Sequence, residues 1–383
     1  MPGAAQQLQH REKKALIVMY QAFSHLFQNR LCSDTFGFGL LATIGAVFPF
    51  ELERAIFTDH HCFHFWLRRF TPTVKLFEKF LFQRLKYKRM KRSFTCLLFL
   101  VFLLPLKSQS LYFPPNNNTV WDTISPQSLG YCQNEIDSLY ELLDLANSKA
   151  FLLLKDGKIV LEKYFDGFTK DSIWYWASAG KTMTAMLTGI AQQEGHLTLS
   201  DTTSEYLGDG WTNCTPAQEE KITIRHQLTM TSGLDDGVPD PYCTLDTCLI
   251  YKADAGTRWA YHNGPYTLLD GVIEAATGQN LNAYYISKIR NPIGMNGFFL
   301  PSGYNNVLFT NPRSMARFGL LVLNKGNWNG TPILKDTAYF NQMVNTSQLL
   351  NRSYGYLWWL NGKASYRVPG LQFQFPGPLF PDA

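Results

Sequence analysis

The stretch that most constrains this chain lies between residues 151 and 195. Two β-rich runs, Phe151-Leu152-Leu153-Leu154-Lys155 and Lys158-Ile159-Val160-Leu161-Glu162-Lys163-Tyr164-Phe165, meet at Asp156-Gly157. Asp-Gly in that setting is the strongest short-range signal for a tight hairpin, because a two-residue turn of matching twist needs positive φ at both positions. An apolar helix follows from the region of Ser178 to Glu194 and stops at Gly195, which takes the left-handed C′ conformation without strain. Ahead of the hairpin, Ile136, Leu139, Tyr140, Leu143 and Leu145 or Ala146 have the spacing of an amphipathic helix. The order is therefore helix, hairpin, buried helix.

At the start of that last helix stands Ser178-Ala179-Gly180-Lys181. A hydroxyl and an amine three positions apart sit on one helical face, within reach of a shared proton. The unpaired N–H groups and dipole of a helix N-terminus favour the negative charge that develops when a hydroxyl attacks a carbonyl. Alone the pair is weak evidence, since a chain of this size contains about one or two Ser-x-x-Lys runs by chance. The bland alternative is a solvated cap beside a surface lysine, so the surroundings must decide.

Charge is unevenly spread. Residues 1–89 carry 13 Lys or Arg against 6 acidic residues, whereas residues 111–383 carry 19 against 24. The overall basicity thus belongs to the leading segment, which argues against nucleic acid as a partner. Between the two regions, Met90-Lys91-Arg92-Ser93 is a short basic stretch, residues 94–104 are apolar, and Ser108-Gln109-Ser110 supplies small residues for cleavage. This reads as a secretory signal over 90–110, starting at Met90 and directing the protein to the periplasm or outside. Its apolar run is shorter than the roughly 20 residues a membrane span needs, so no stable span is expected after cleavage.

Residues 1–89 are then expected to be a non-native or disordered extension that does not pack on the rest. Residues 36–50 are apolar without period and His60-His61-Cys62-Phe63-His64 lacks the paired spacing of a zinc site. Whether Met1 or Met90 starts the protein is open. The part after the signal keeps four cysteines, Cys132, Cys214, Cys243 and Cys248. Two disulfides are permitted in an exported chain and Cys243–Cys248 is the pair the spacing favours, with four free thiols as the alternative.

Downstream, residues 221–234 read as a short helix ending at a glycine, and residues 265–277 as a helix closed by Gly278. Between them lies Ala255-Gly256-Thr257-Arg258-Trp259-Ala260-Tyr261-His262-Asn263. Ser-x-x-Lys followed 83 residues later by Tyr261-x-Asn263 resembles the exported serine hydrolases that include class C β-lactamases, D-Ala-D-Ala carboxypeptidases and related esterases. His226-Gln227-Leu228-Thr229-Met230-Thr231-Ser232-Gly233-Leu234, Asn291-Pro292-Ile293-Gly294-Met295 and Arg313-Ser314-Met315-Ala316-Arg317-Phe318-Gly319 fit the same pattern.

The resemblance implies an α/β fold of three layers, α/β/α, with an antiparallel sheet flanked by helices and a helical subdomain carrying Tyr261. It implies Ser178 as nucleophile, Lys181 and Tyr261 jointly as base, and Asn263 positioning Lys181 and the substrate's acyl side chain. The substrate would be a small molecule or peptide with an amide or ester, and no metal or organic cofactor is implied. A Ser-His-Asp arrangement built on His226 or His262 is disfavoured, because Trp176 stands where a nucleophile elbow needs glycine. Trp174, Trp176, Tyr356, Trp358 and Trp359 read as core or cleft wall.

One departure stands out. The family's third motif, Lys-Thr-Gly or a relative on a strand lining the cleft, is not found in a credible context after Tyr261. The 111–383 domain is therefore expected to lack its last strands, to leave one edge of the hairpin open and to be unstable alone. A member that binds cell-wall peptide without turnover is the rival reading.

Overall fold

The computed structural model describes Thr43–Ile44 and residues 111–117 and 120–380. All of these except Leu111 belong to one compact unit. The expected extension and signal segment otherwise lie outside the described residues, as does the cluster at residues 60–64.

A three-stranded antiparallel sheet runs in the order β1 (Thr43–Ile44), β2 (Ala150–Lys155), β3 (Lys158–Tyr164). The turn between β2 and β3 forms as Asp156-Gly157 dictates, with φ of 52° and 83°. Gly157 is required there for a second reason, because a Cβ would stand 1.9 Å from the Tyr112 carbonyl oxygen. The edge of β2 expected to be open is paired at two of its residues. Thr43 and Ile44 pair with Leu154 and Leu153, so at these two residues the leading segment supplies backbone partners to β2.

Helix α1 (Gln133–Leu145) lays Ile136, Leu139 and Leu143 on Phe151, Leu153, Leu161 and Phe165 of the hairpin region. Leu145 is 81% exposed, so of the two sequence candidates for the end of that stripe it is Ala146 that turns inward.

A second antiparallel sheet consists of β4 (Trp174–Tyr175), β5 (Phe298–Ser302) and β6 (Asn305–Thr310) in the order β4-β6-β5. Helices and antiparallel strands are mixed as the α/β reading requires, but the described strands form separate small sheets where one continuous sheet was expected. Helix α2 (Lys181–Gln193) is buried on every side from Lys181 to Ala191, the pattern of a central helix. It ends in paired bonds from His196 N–H to the Ala191 carbonyl and from Gly195 N–H to the Gln192 carbonyl, with Gly195 at φ 78°.

The helical part carries the short helices Ser204–Leu207 and Pro216–Glu219, then α3 (Ile224–Leu228), α4 (Asn263–Thr267) and α5 (Leu269–Thr277). The helix expected over 221–234 shrinks to α3. Thr223 and His226 close its N-terminus as a capping box, and Met230, at φ 57°, turns the chain away. The Cys243–Cys248 disulfide forms as expected, whereas Cys214 is a free thiol.

Helix α6 (Pro312–Leu323) is tied down by its two arginines. Arg313 forks onto both carboxylate oxygens of Glu162 in β3 at 2.7 and 2.8 Å. Arg317, buried, donates to the carbonyls of Pro114, Pro115 and Ile293 and fixes the lead-in segment. The motif at residues 313–319 is thus structural.

Candidate active site

Strand β4 aims the candidate nucleophile. Trp174 and Tyr175 pair with Thr310 and Phe309 of β6, and the Trp176 N–H continues the ladder to the Leu308 carbonyl at 2.8 Å. The chain then reverses at Ala177, whose φ of 44° is the left-handed region that a side chain disfavours. Trp176 anchors the reversal by packing edge-on against Phe318 with ring centroids 5.6 Å apart. Ser178 therefore emerges exposed in a tight turn, Ala177–Gly180, that leads into α2. Sequence placed Ser178 at the helix N-terminus, and the first turn there is 3-10.

Lys181, the first residue of α2, is only 4% exposed. Its Nζ lies 3.2 Å from Ser178 Oγ, in hydrogen-bonding reach. The amine is otherwise capped by aromatic faces, 4.3 Å from the Tyr266 ring centroid and 5.2 Å from that of Tyr261. Burial holds the Lys181 ammonium down to about 7, against the opposing pull of Asp270.

Tyr261 is brought to the lysine by a segment pinned against residues 230–231. Gly256 N–H bonds the Thr231 carbonyl at 2.8 Å and Ala260 N–H the Met230 carbonyl at 2.9 Å. An aromatic wall backs it: Trp359 and Tyr354 have ring centroids 5.6 and 6.2 Å from that of Tyr261, and Trp259 packs on both. The run at residues 354–359, which reads as a strand, is instead a tight turn. Leu357 at φ 59° breaks the extended chain, and a Tyr354–Trp359 bridge closes it. Among the aromatic residues taken for core or wall, Trp176, Tyr356 and Trp358 are buried, and Trp359 is the one against Tyr261.

Asn263 starts α4 and is buried, but its Oδ1 has no hydrogen-bond partner. It thus lacks, at Oδ1, the bond to the lysine that the resemblance implied. Neither histidine serves Ser178. His226 Nδ1 accepts from the Thr223 N–H, and both ring nitrogens of His262 are buried without a partner. Burial pushes His262 down to about 4, so it is neutral near pH 7.

Two residues near the lysine were not singled out from sequence. Tyr266 and Asp270 are four apart across the junction of α4 and α5, and both act on Lys181. The signal was present: an acid between Leu269 and Val272-Ile273, positions of a helix that is otherwise core.

The Beta-lactamase family model matches residues 146–380. A search of curated protein sequences gives no match. Among solved structures, a Bacillus anthracis protein provisionally described as a 6-aminohexanoate-dimer hydrolase aligns with a TM-score of 0.51 at 22% identity, covering 68% of this chain and 79% of that one. A Bacteroides dorei protein provisionally described as a β-lactamase aligns at 0.50 and 21% identity over 60% and 79%. The octameric penicillin-binding protein homologue of Pyrococcus abyssi aligns at 0.47 and 19% over 59% and 64%. At these identities the likeness to the first two is one of fold.

Proposed function

The chain belongs to the β-lactamase family, and from that premise we propose that it is a serine hydrolase acting through an acyl-enzyme on Ser178. The carrying observation is the exposed Ser178 hydroxyl 3.2 Å from a buried lysine amine whose ammonium form is disfavoured. A lysine in water is almost wholly protonated at pH 7 and cannot take a proton. One held near 7 is neutral in about half of molecules.

In this reading the Lys181–Tyr261 pair accepts the proton of Ser178 Oγ as the oxygen bonds to an amide or ester carbonyl carbon. The Ser178 backbone N–H donates to the oxyanion. Collapse expels the amine or alcohol, which leaves with that proton, and water then releases the acyl group by the same path in reverse. Asn263, with its free Oδ1, orients the acyl side chain by accepting an N–H from the substrate. The substrate class is a β-lactam, a cell-wall stem peptide or a small ester. The Cys243–Cys248 disulfide supports an oxidising compartment and so export. No described helix is long and apolar enough to cross a membrane.

A fluorophosphonate or penicillin-type acylating probe on the full chain tests this. Mass spectrometry should place the adduct on Ser178, at a rate that rises as pH rises through about 7 and Lys181 loses its proton. Ser178→Ala should abolish labelling and leave the unfolding transition within about 1 kcal/mol. A folded protein that binds the probe or a cell-wall peptide without any adduct overturns the proposal in favour of the silent binder.

A further inference from the structure

Asn263 is the site residue whose placement the reaction just described leaves unexplained. It opens the short helix α4, and His262 before it makes no side-chain cap. What grips this end of the helix is the loop that carries the disulfide. The N–H of Gly264, the next residue, donates to the Pro241 carbonyl at 2.9 Å. A Cβ on Gly264 would stand 2.4 Å from the Cys243 carbonyl oxygen and 3.1 Å from Leu249 Cδ2, so close approach alone requires glycine here.

Packing holds that loop at few points. Cys243 and Leu249 are buried, but Tyr242, Leu245 and Ile250 are exposed. Backbone bonds tie its base, from the Asp235 N–H to the Ile250 carbonyl at 2.8 Å and from the Ala253 N–H to the Gly233 carbonyl at 2.9 Å. Above the base, the Cys243–Cys248 bridge is the covalent restraint. It joins residues 5 apart in sequence, and a bridge closing so short a loop restrains the unfolded chain least. Its main effect is therefore on the local shape of the folded loop.

We propose that the Cys243–Cys248 disulfide is a positioning element for Asn263, keeping the Pro241 and Cys243 carbonyls against Gly264 and so setting a preference for acyl groups that carry an amide N–H. The proposal rests on the serine-hydrolase reading above and on the role given there to Asn263. With the bridge intact, the Asn263–Gly264 peptide is held by one hydrogen bond and one close carbonyl contact, and Asn263 Oδ1, which accepts from no protein group, keeps one direction. With the bridge removed, the turn is free to leave α4, Gly264 loses its acceptor, and Asn263 loses its aim. Ser178 and Lys181 are held by β4 and α2 and keep their contact. Neither sulfur touches the reacting atoms.

The test compares two esters on the full chain, wild type against the double variant Cys243→Ser, Cys248→Ser. The p-nitrophenyl esters of acetic acid and of N-acetylglycine share a leaving group and differ in the acyl N–H. The kcat/KM ratio of the glycine ester to the acetate should fall by roughly threefold to tenfold, the worth of one hydrogen bond. Fluorophosphonate labelling of Ser178 should stay within about twofold. An unchanged ratio, or wild type that accepts the acetate alone, overturns the proposal and leaves the nucleophile assignment intact. Equal losses on both esters and in labelling, the mark of a purely structural bridge, also overturn it. Wild type that hydrolyses neither ester and takes no label sinks the underlying reading and this inference with it. Should the double variant not fold, Gly264→Ala decides: helix propensity favours it, the bridge stays, and the new Cβ drives the Cys243 carbonyl off α4. It should lower the same ratio, and an unchanged ratio overturns the proposal.

Discussion

Two buried carboxyls in the helical part are treated in opposite ways. Glu219, 3% exposed, accepts from the N–H groups of Gly210 and Thr212 at 2.8 Å each, from the Thr212 hydroxyl at 2.5 Å and from the Ser204 hydroxyl at 3.4 Å. It knots three short segments beside the small core of Trp211, Ile222, Leu234 and Leu249. Asp270 is as deeply buried and accepts from none. Where the fold uses an acid, donors surround it. Asp270, on the helix that follows Tyr266, closes no such bond, and burial displaces its proton affinity upward and that of Lys181 downward.

The same contrast extends to neighbouring atoms. Trp259 Nε1, both nitrogens of His262, Asn263 Oδ1 and the Tyr354 hydroxyl are buried without partners in the segments that wall Lys181. An orphaned polar atom costs about 1–3 kcal/mol, so this concentration is a substantial local penalty beside a fully satisfied knot.

The largest expected effect breaks the contrast at the lysine. Lys181→Met keeps the volume and removes the buried amine, so Ser178 labelling should fall by about 10³-fold or more while the thermal midpoint holds or rises. A lost fold, with the midpoint falling by many degrees, would show that the amine is structural and that the two regions do not differ in kind. Next in size is Glu219→Ala. It strands the Gly210 and Thr212 N–H groups at roughly 1–3 kcal/mol each, so the urea midpoint should drop clearly while the pH profile of labelling keeps its shape. Displacement of that profile would mean that Glu219 also acts on the site.

Much of this site was legible in sequence because its signals are local. Ser178 and Lys181 are one turn apart, Tyr261 and Asn263 sit within one run, and Asp156-Gly157 fixes its own turn. What stayed hidden depends on distant packing. That Trp176 is tied to Leu308 and Phe318, which lets Ala177 reverse the chain, cannot be read from residues 174–178. Nor can the turn at residues 354–359: its sequence is β-rich, and Leu357 N–H is instead taken by the Leu228 carbonyl at 2.9 Å. The pairing of Thr43–Ile44 with β2 was missed for the same reason, since a two-residue strand inside an aperiodic apolar run leaves no period to find. Asp270 stood in plain view as an acid among core positions.

The smallest effect separates the two carboxyls by stability alone. Asp270 titrates near 4 in the unfolded chain and at about 8 in the folded one, so between these values the folded state binds the extra proton. Stability from this group is therefore highest below about 4 and is lost as pH rises towards 8. His262 has the opposite sign: its folded value of about 4 lies below the unfolded value near 6.5, so it takes stability away as pH falls through that window. Lys181, at about 7 when folded, adds stability as pH rises from there towards 10. The overlap hides Asp270 in any single wild-type curve, but the difference between Asp270→Asn and wild type cancels what the histidine contributes. Urea midpoints at pH 4, 6 and 8 should show the variant gaining on wild type at each step, with little difference at pH 4. A difference that stays constant across the three would show that Asp270 is ionised throughout, as a carboxylate supplied with partners would be, and its contrast with Glu219 would disappear.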